Sequence, residues 1–135
     1  MTIQLSDTVR NARLDAIETA IGVSAVLKIR TGAQPANVAA ADSGTVLATI
    51  TLPADWMLAA SAGVKAMSGT WSDASADAGG TAGHYRIYAS NGTTQHLQGS
   101  VTALAGGGDM ELDNIVLNAG QAFSVTTYQL TDGNA

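Results

Sequence analysis

The sequence predicts a mainly β protein: an antiparallel β-sandwich, jelly-roll-like, preceded by one N-terminal α-helix. Only residues 6–21 show the hydrophobic period of a helix, whereas the apolar residues after Gly22 alternate with the period of two that is typical of strands. Clusters of Gly, Asn, Asp and Ser separate the strand candidates, as in sandwich folds. An immunoglobulin-like arrangement of the same strands stays open. The expected organisation is a helical segment at residues 1–22 and a β-sandwich domain at residues 23–135.

The helix has recognisable ends and one apolar stripe. Ser6 or Asp7 is expected to cap its first turn, and Gly22 to end it. The stripe consists of Leu14, Ile17 and Ile21. Four charged residues fall largely outside it: Arg10, Arg13, Asp15 and Glu18. Such a helix packs on its own sheet or docks on a neighbouring protein; the stripe does not decide between these, and we favour its own domain.

Seven segments are strand candidates, separated by turns and two longer loops. The candidates are 24–30, 45–52, 64–71, 83–90, 93–104, 110–117 and 121–130. Residues 31–44 and 72–83 are rich in small and polar residues and are expected to be loops, either free or extended over neighbouring subunits. Trp56 and Trp71 are expected to fill the core, because the chain has few other large rings.

Residues 83–101 predict a hairpin around Asn91-Gly92, since both residues tolerate a positive φ. A three-residue loop with Gly92 in the left-handed conformation sorts the apolar and polar residues onto opposite faces. The apolar face would hold Tyr85, Ile87, Ala89, Leu97 and Val101. The outward polar face would hold His84, Arg86, Tyr88, Thr94, His96, Gln98 and Ser100, with the two histidines as diagonal neighbours.

The polar face has two interpretations, an ordinary solvent-exposed sheet face or a protein contact surface. Arginine grips carboxylates through two hydrogen bonds, and tyrosine adds contact area at low entropic cost. The candidate contact residues are therefore His84, Arg86, Tyr88, His96 and Gln98 of the hairpin, together with Arg10 and Arg13 of the helix.

Composition limits the function classes. The net charge is −5, and only six Lys and Arg are scattered over 135 residues, which disfavours direct nucleic-acid binding. The chain has no cysteine, hence no disulfide and no thiolate chemistry. No stretch has the length of a membrane span, and the N-terminus lacks the apolar region of an export signal. We expect a soluble protein made in the cytoplasm.

No motif predicts catalysis, a cofactor or a metal. The Gly-rich residues 106–109 lack the Lys-Ser/Thr and helix of a phosphate-binding loop and are expected to connect strands. The acidic residues match no calcium-loop spacing, and two histidines alone make a poor metal site. Acidic residues considered as ligands or as a catalytic pair are Asp73, Asp77, Asp109, Glu111 and Asp113. The expectation is a protein that is not an enzyme.

Four stretches, which cover most of the chain, resemble small structural proteins of tailed bacteriophages. They are VRNARLDAIETAIG (9–22), GAQPANVAAADSGTVLATITLPADWM (32–57), HYRIYASNGTTQHLQGSV (84–101) and GGGDMELDNIVLNAGQAFSVTTYQLTDGNA (106–135). The resemblance is strongest to the jelly-roll cement (decoration) proteins of capsids. It implies a protein of the virion's capsid surface, made in the host cytoplasm, that bridges major capsid protein subunits.

A second hypothesis is a tail or tail-fibre component whose sandwich binds a receptor or a glycan. Sugars stack on exposed rings, and the candidate rings are Trp56, Trp71, Tyr88 and Tyr128. For either function we expect dimers or trimers, because a small sandwich leaves unpaired edge strands and few charges guard them here.

Overall fold

The computed structural model describes residues 3–133; residues 1, 2, 134 and 135, at the outer ends of the two predicted segments, lie outside the described residues. It confirms a mainly β, sandwich-like fold with one N-terminal helix. The elements are α1 Asp7–Ile21, β1 Val26–Thr31, β2 Val46–Thr51, β3 Val64–Ala66, β4 Trp71–Asp73, β5 Gly80–Tyr88, β6 Gln95–Ala103, β7 Met110–Leu112, β8 Val116–Leu117, β9 Phe123–Val125 and β10 Gln129–Thr131.

One large sheet, in the order β2-β1-β5-β6-β7, forms the first layer, and β8 pairs with the start of β5. Its pairs are antiparallel except β6 with β7, which is parallel, so the expectation of a fully antiparallel sandwich is wrong at this edge. The chain turns back within residues 104–109 because carboxylates hold this loop. Asp109 accepts hydrogen bonds from the backbone N–H and hydroxyl of Ser100, and Glu111 accepts from the N–H groups of Ala105 and Gly107.

The second layer consists of two short sheets, β3 with β10 and β4 with β9. The predicted strands 64–71 and 121–130 do pair with each other, but each is divided in two. The register differs by one residue between the two short sheets, and Gly69, with a φ of +72°, lies in the interval between β3 and β4. The prediction that residues 72–83 form a loop is wrong at both ends. The last two residues of β4 and the first four residues of β5 lie within this range.

The core lies between these layers and depends on a chain of aromatic rings. Trp56 and Trp71 are fully buried, as predicted, with ring centroids 6.1 Å apart. Tyr128 lies 5.4 Å from Trp71 and meets Tyr85 of the large sheet edge to face at 5.6 Å. The hydroxyls of Tyr85 and Tyr128 are hydrogen-bonded at 2.7 Å, so the two layers are joined by a polar contact inside an apolar core.

The β5–β6 hairpin has the predicted faces but a different register. Ile87 pairs with Leu97 and Arg86 with Gln98, so apolar and polar residues separate as expected. Gly92 has the predicted positive φ. After the turn, however, the Ala89 N–H donates to the Thr94 carbonyl, and a bulge at His96 of β6 shifts the register once more. His84 therefore pairs with Ser100, and the expectation that the two histidines are diagonal neighbours is wrong.

The helix packs on its own chain. Ser6 caps it by accepting a hydrogen bond from the Val9 N–H, and Gly22 ends it. Leu14 and Ile21 are buried. The predicted charged face also docks, because Lys65 of β3, only 2% exposed, pairs with Asp15 at 2.7 Å and Glu18 at 2.8 Å.

The environment of the three tyrosines predicts an abnormal alkaline titration. Burial raises the pKa of Tyr85 to about 12 and, together with the nearby Tyr85 and Asp109, raises the pKa of Tyr128 well above its usual value. Burial and the hydrogen bond to Asp42 also raise the pKa of Tyr88. A raised tyrosine pKa stabilises the fold below the unfolded value near pH 10, and this stabilisation is lost as the pH rises.

We expect the folded protein to show little tyrosinate absorbance at pH 10, with ionisation accompanying alkaline unfolding. The chain in denaturant is the control and is expected to titrate near pH 10. A reversible titration centred near pH 10, with circular dichroism unchanged, would contradict the structure.

Candidate functional site

Residues 32–44, here called the covering loop, lie over the outer face of β1, β5 and β6. The loop contains neither helix nor strand, and most of its residues are exposed on its outer side. Side chains of the sheet bind its inner side, mainly through its backbone carbonyls. The result is an exposed segment with a fixed path, which is the most distinctive feature of the surface.

Arg86, at the centre of β5, is the main anchor of the covering loop. Its guanidinium is fully buried. It donates to the carbonyls of Asn37 and Ala40 at 3.1 and 2.9 Å and to the Asp42 carboxylate at 2.8 Å. Its remaining donors reach the side-chain oxygen of Gln98 on β6, at 2.8 and 3.1 Å. All three nitrogens of this guanidinium therefore have a partner, as a buried charge requires.

Asp42 is the acidic residue of the covering loop and is shared by three side chains. Arg30 of β1 contacts one of its oxygens at 2.8 Å, and Arg86 and the Tyr88 hydroxyl contact the other, also at 2.8 Å each. Burial alone would raise the pKa of Asp42. The hydrogen bonds from Tyr88 and Arg86 and the charges of Arg30 and Arg86 outweigh it and lower the pKa.

Two further contacts fix the first half of the covering loop. Gln98 donates from its amide nitrogen to the Pro35 carbonyl at 2.8 Å. His84, fully buried, donates from Nδ1 to the Gly32 carbonyl at 2.9 Å, and its Nε2 has no hydrogen-bond partner among residues 3–133. Gly83 allows this approach, because a Cβ there would lie 2.2 Å from the Gly32 carbonyl oxygen.

The predicted outward polar face is therefore an internal surface. His84, Arg86 and Tyr88 are fully buried, Gln98 is partly buried, and His96 is exposed at the bulge. The expectation that these residues face solvent is wrong for the first three, because the covering loop lies on them. The loop also does not extend freely or reach a neighbour with its inner side; it is held on its own sheet.

The two helical candidates lie apart from this face. Arg10 pairs with Asp7 and donates to the backbone carbonyl of Asp132 at 2.9 Å. Arg13 contacts the Asp132 carboxylate at 3.2 Å, and its side chain remains 61% exposed. The structure thus gathers five of the sequence candidates near one sheet face and places Arg10 and Arg13 beside the end of β10.

Sequence reasoning missed the partners of the buried cations, Asp42 for the two sheet arginines and the Asp15–Glu18 pair for Lys65. A signal was present. Lys28, Arg30 and Arg86 are three of the six Lys and Arg in the chain, and strand alternation puts all of them on one face. A cluster of cations on one face needs a carboxylate, and Asp42 is the acidic residue within the neighbouring loop 31–44.

The rings proposed as a glycan platform are not exposed. Trp56, Trp71 and Tyr88 are fully buried and Tyr128 is 4% exposed. Tyr88 is covered on one face by Lys28, whose ammonium lies 4.8 Å from the ring centre. Sugar stacking on these rings would require the sandwich to open.

Four of the five acidic residues considered as ligands accept hydrogen bonds from neighbouring segments of the chain, and the fifth, Asp113, is exposed. Asp73 accepts from the N–H groups of Thr49 and Ser75, and Asp77 accepts from the Thr49 hydroxyl at 2.7 Å. Asp109 and Glu111 hold the turn after β6. Within residues 3–133 no three His, Asp or Glu side chains gather as a metal-binding group. In the same range, no helix is both long and apolar enough to cross a membrane.

Comparisons with protein-family models, with curated proteins and with solved structures gave no match. The chemistry that the site supports follows from its geometry. The sheet fixes the covering loop through buried cations, so the outer side of the loop is ordered before any partner arrives. Such a surface can bind another protein without a further ordering cost.

The shared carboxylate predicts the effect of Asp42→Asn. The substitution keeps the shape but leaves Arg30 and Arg86 buried without a counter-charge. We expect the free energy of unfolding to fall by about 2–3 kcal/mol, less than for a fully enclosed ion pair because Asp42 is 38% exposed. We also expect faster proteolysis within residues 32–44, measured by fragment mass. The exposed Asp113→Asn is the matched control and should change stability by less than about 0.5 kcal/mol. Equal effects of both variants would contradict the role of Asp42.

The lowered pKa of Asp42 predicts sensitivity to acid. A carboxyl with a lowered native pKa stabilises the fold above its ordinary value of 3.8, and this stabilisation is lost as the pH falls through the native pKa. Denaturant midpoints measured below about pH 4 should therefore fall more steeply for the parent protein than for Asp42→Asn. Parallel curves for the two proteins would show that Asp42 makes no such contribution.

Proposed function

We propose that this protein is a non-enzymatic structural component of a tailed-bacteriophage virion that cements or decorates the capsid by bridging neighbouring major capsid protein subunits. The resemblance of four stretches of the sequence to phage structural proteins suggests the class. The structural observation that carries the proposal is the covering loop, an exposed segment of 13 residues that the sheet holds in one path.

A cement protein needs contact area that is ready before assembly. Ordering a free loop at an interface costs roughly 0.5–1.5 kcal/mol for each immobilised side chain. In this protein, the buried Arg86 and Arg30 and the partly buried Gln98 have already ordered the covering loop. The binding free energy of each copy is then reduced less by ordering, which matters for a small protein with a limited surface.

Apolar side chains outside the covering loop offer further contact area. Large apolar residues remain exposed near both ends of the helix, in loops and on the short strand β8. They are Ile3, Val9, Val23, Leu58, Leu104 and Val116. Contacts of this kind stabilise a particle through repetition: a standard interface buries about 1,600 Å², and linking many such contacts through one shell multiplies their effect.

The proposed location is the outer surface of the capsid, and the proposed partners are the major capsid protein and further copies of the chain. The role needs no covalent step, cofactor, metal or nucleic-acid contact. The tail or tail-fibre hypothesis is less well supported, since the four rings it depends on are buried.

The copy number in purified virions tests the assignment to the capsid. We expect quantitative mass spectrometry to find this protein at a copy number comparable to that of the major capsid protein. Only a handful of copies per particle would contradict the proposal and favour the tail.

A pair of surface variants tests the covering loop. Ala36 and Ala39 are exposed on its outer side, and changing both to Glu should reduce occupancy on particles while the melting temperature stays unchanged. The matched control changes the exposed Ala74 and Ala122, which flank the β4–β9 pair, to Glu. Full decoration by the loop variant, or equal loss with both variants, would show that the loop is not the contact surface.

A further inference from the structure

The edge of β10 exposes backbone groups that β3 does not use. Tyr128 and Asp132 flank the strand and bond to Met67 and Gly63 of the β3 side, so the even-numbered residues of β10 direct their N–H and C=O groups toward β3. Gln129 and Thr131 therefore direct theirs away from it. Among the described residues, β10 has β3 as its strand neighbour and no second one.

The two edge strands of the large sheet, β2 and β7, are protected. On β2, the Thr49 N–H donates to Asp73, and the Leu47 carbonyl accepts from Asp77 and Ala78. β7 carries Glu111 and lies between Asp109 and Asp113, and charge is a common device against strand addition. β10 contains no charged residue and no proline, so it lacks this protection.

The edge of β10 also has space beside it. An open groove of about 540 Å³ separates β10 from β6, and Leu97, Gln98, Gln129 and Leu130 lie along it. The usual spacing between paired strands, about 4.8 Å, places a second strand next to β10 in this groove.

A carboxylate lies near the first end of β10, and a largely exposed cation, itself paired with Asp132, lies at the other end. Asp109 lines the groove and acts electrostatically on the Tyr128 hydroxyl, so it lies toward the first end of the strand. Arg13 pairs with Asp132 at the other end and is largely exposed. When two copies of such a strand run antiparallel, Arg13 of each copy meets the end of the other copy that carries Asp109.

We propose that β10 pairs antiparallel with β10 of a second copy about a two-fold axis, forming a continuous sheet β3-β10-β10-β3 across the dimer. In this register Gln129 of each copy pairs with Thr131 of the other copy. The two N–H and two C=O groups of each pair then form hydrogen bonds with one another. Leu130 lies on the axis. The proposal concerns self-association and does not depend on the assignment to a phage particle.

Cysteine cross-linking tests the register directly, because the chain has no cysteine of its own. Gln129→Cys and Thr131→Cys are both at exposed positions. Mixing the two proteins should give disulfide-linked heterodimers in roughly tenfold excess over the homodimers, because the high effective concentration applies only to the paired positions. The matched control pair, Ser124→Cys and Thr126→Cys on the exposed side of the β9 region, should show no such excess. A statistical mixture of products from the 129 and 131 variants would overturn the proposal.

The variant Thr131→Pro tests the edge without disturbing β3. It removes an N–H that points away from β3, a position where an edge strand tolerates proline. The parent should be dimeric by sedimentation at micromolar concentration, and the variant monomeric with an unchanged circular dichroism spectrum. Gln129→Lys, which adds a charge to the edge, should have the same effect and serves if the proline variant does not fold. A parent protein that stays monomeric, or dimers that persist in both variants, would overturn the proposal.

Discussion

The buried guanidinium of Arg86 is the constraint on which the outer half of the molecule depends. Arginine stays charged in a protein, so burying it without partners would cost several kcal/mol. Its partners come from two separate regions, Gln98 on the next strand and Asn37, Ala40 and Asp42 on the covering loop. The sheet and the loop must therefore reach their positions together, and the loop is as much a layer of this sandwich as the short sheets on the other side.

The same rule applies to the other cations of the chain. Lys65 needs Asp15 and Glu18, which ties the helix to β3, and Arg10 needs Asp132, which ties the helix to the end of β10. Each of the six Lys and Arg contacts an acceptor within the chain. Lys28, the last of them, donates to the Gly92 carbonyl at 2.9 Å. In a chain with a net charge of −5, internal use of the cations leaves carboxylates over-represented among the free surface charges. The thin aromatic content of the core is thus supplemented by ion pairs at its periphery.

The sequence predicts the elements well and the tertiary contacts poorly, for a physical reason. The helix from its Ser6 cap to Gly22, the two faces of the hairpin and the burial of Trp56 and Trp71 depend on local period or on residue size, which a sequence displays directly. The covering loop depends on the pairing of Arg86 with a carboxylate 44 residues away. No local pattern indicates that pairing, and the signal for it is the gathering of three cations on one sheet face. The parallel addition of β7 depends on the hydrogen bonds by which Asp109 and Glu111 hold residues 104–109. The division of the 64–71 and 121–130 strands accompanies a one-residue register change. Such changes alter few side-chain preferences and are therefore hardly visible in the sequence.

Burial of the polar face changes which groups remain for association with other proteins. Three polar side chains are buried within the chain: those of His84, Arg86 and Tyr88. Arg13, by contrast, keeps 61% of its side chain exposed. The groups left for a partner are therefore exposed carboxylates, the free backbone edge of β10, the outer side of the covering loop and scattered apolar side chains, with few cations among them. Attraction between neutral groups is short-ranged and is screened little by salt, whereas steering by charge acts over about 10 Å at ordinary ionic strength. On such a surface, charge steers only a partner that carries cationic groups, and the neutral contacts depend on close shape complementarity.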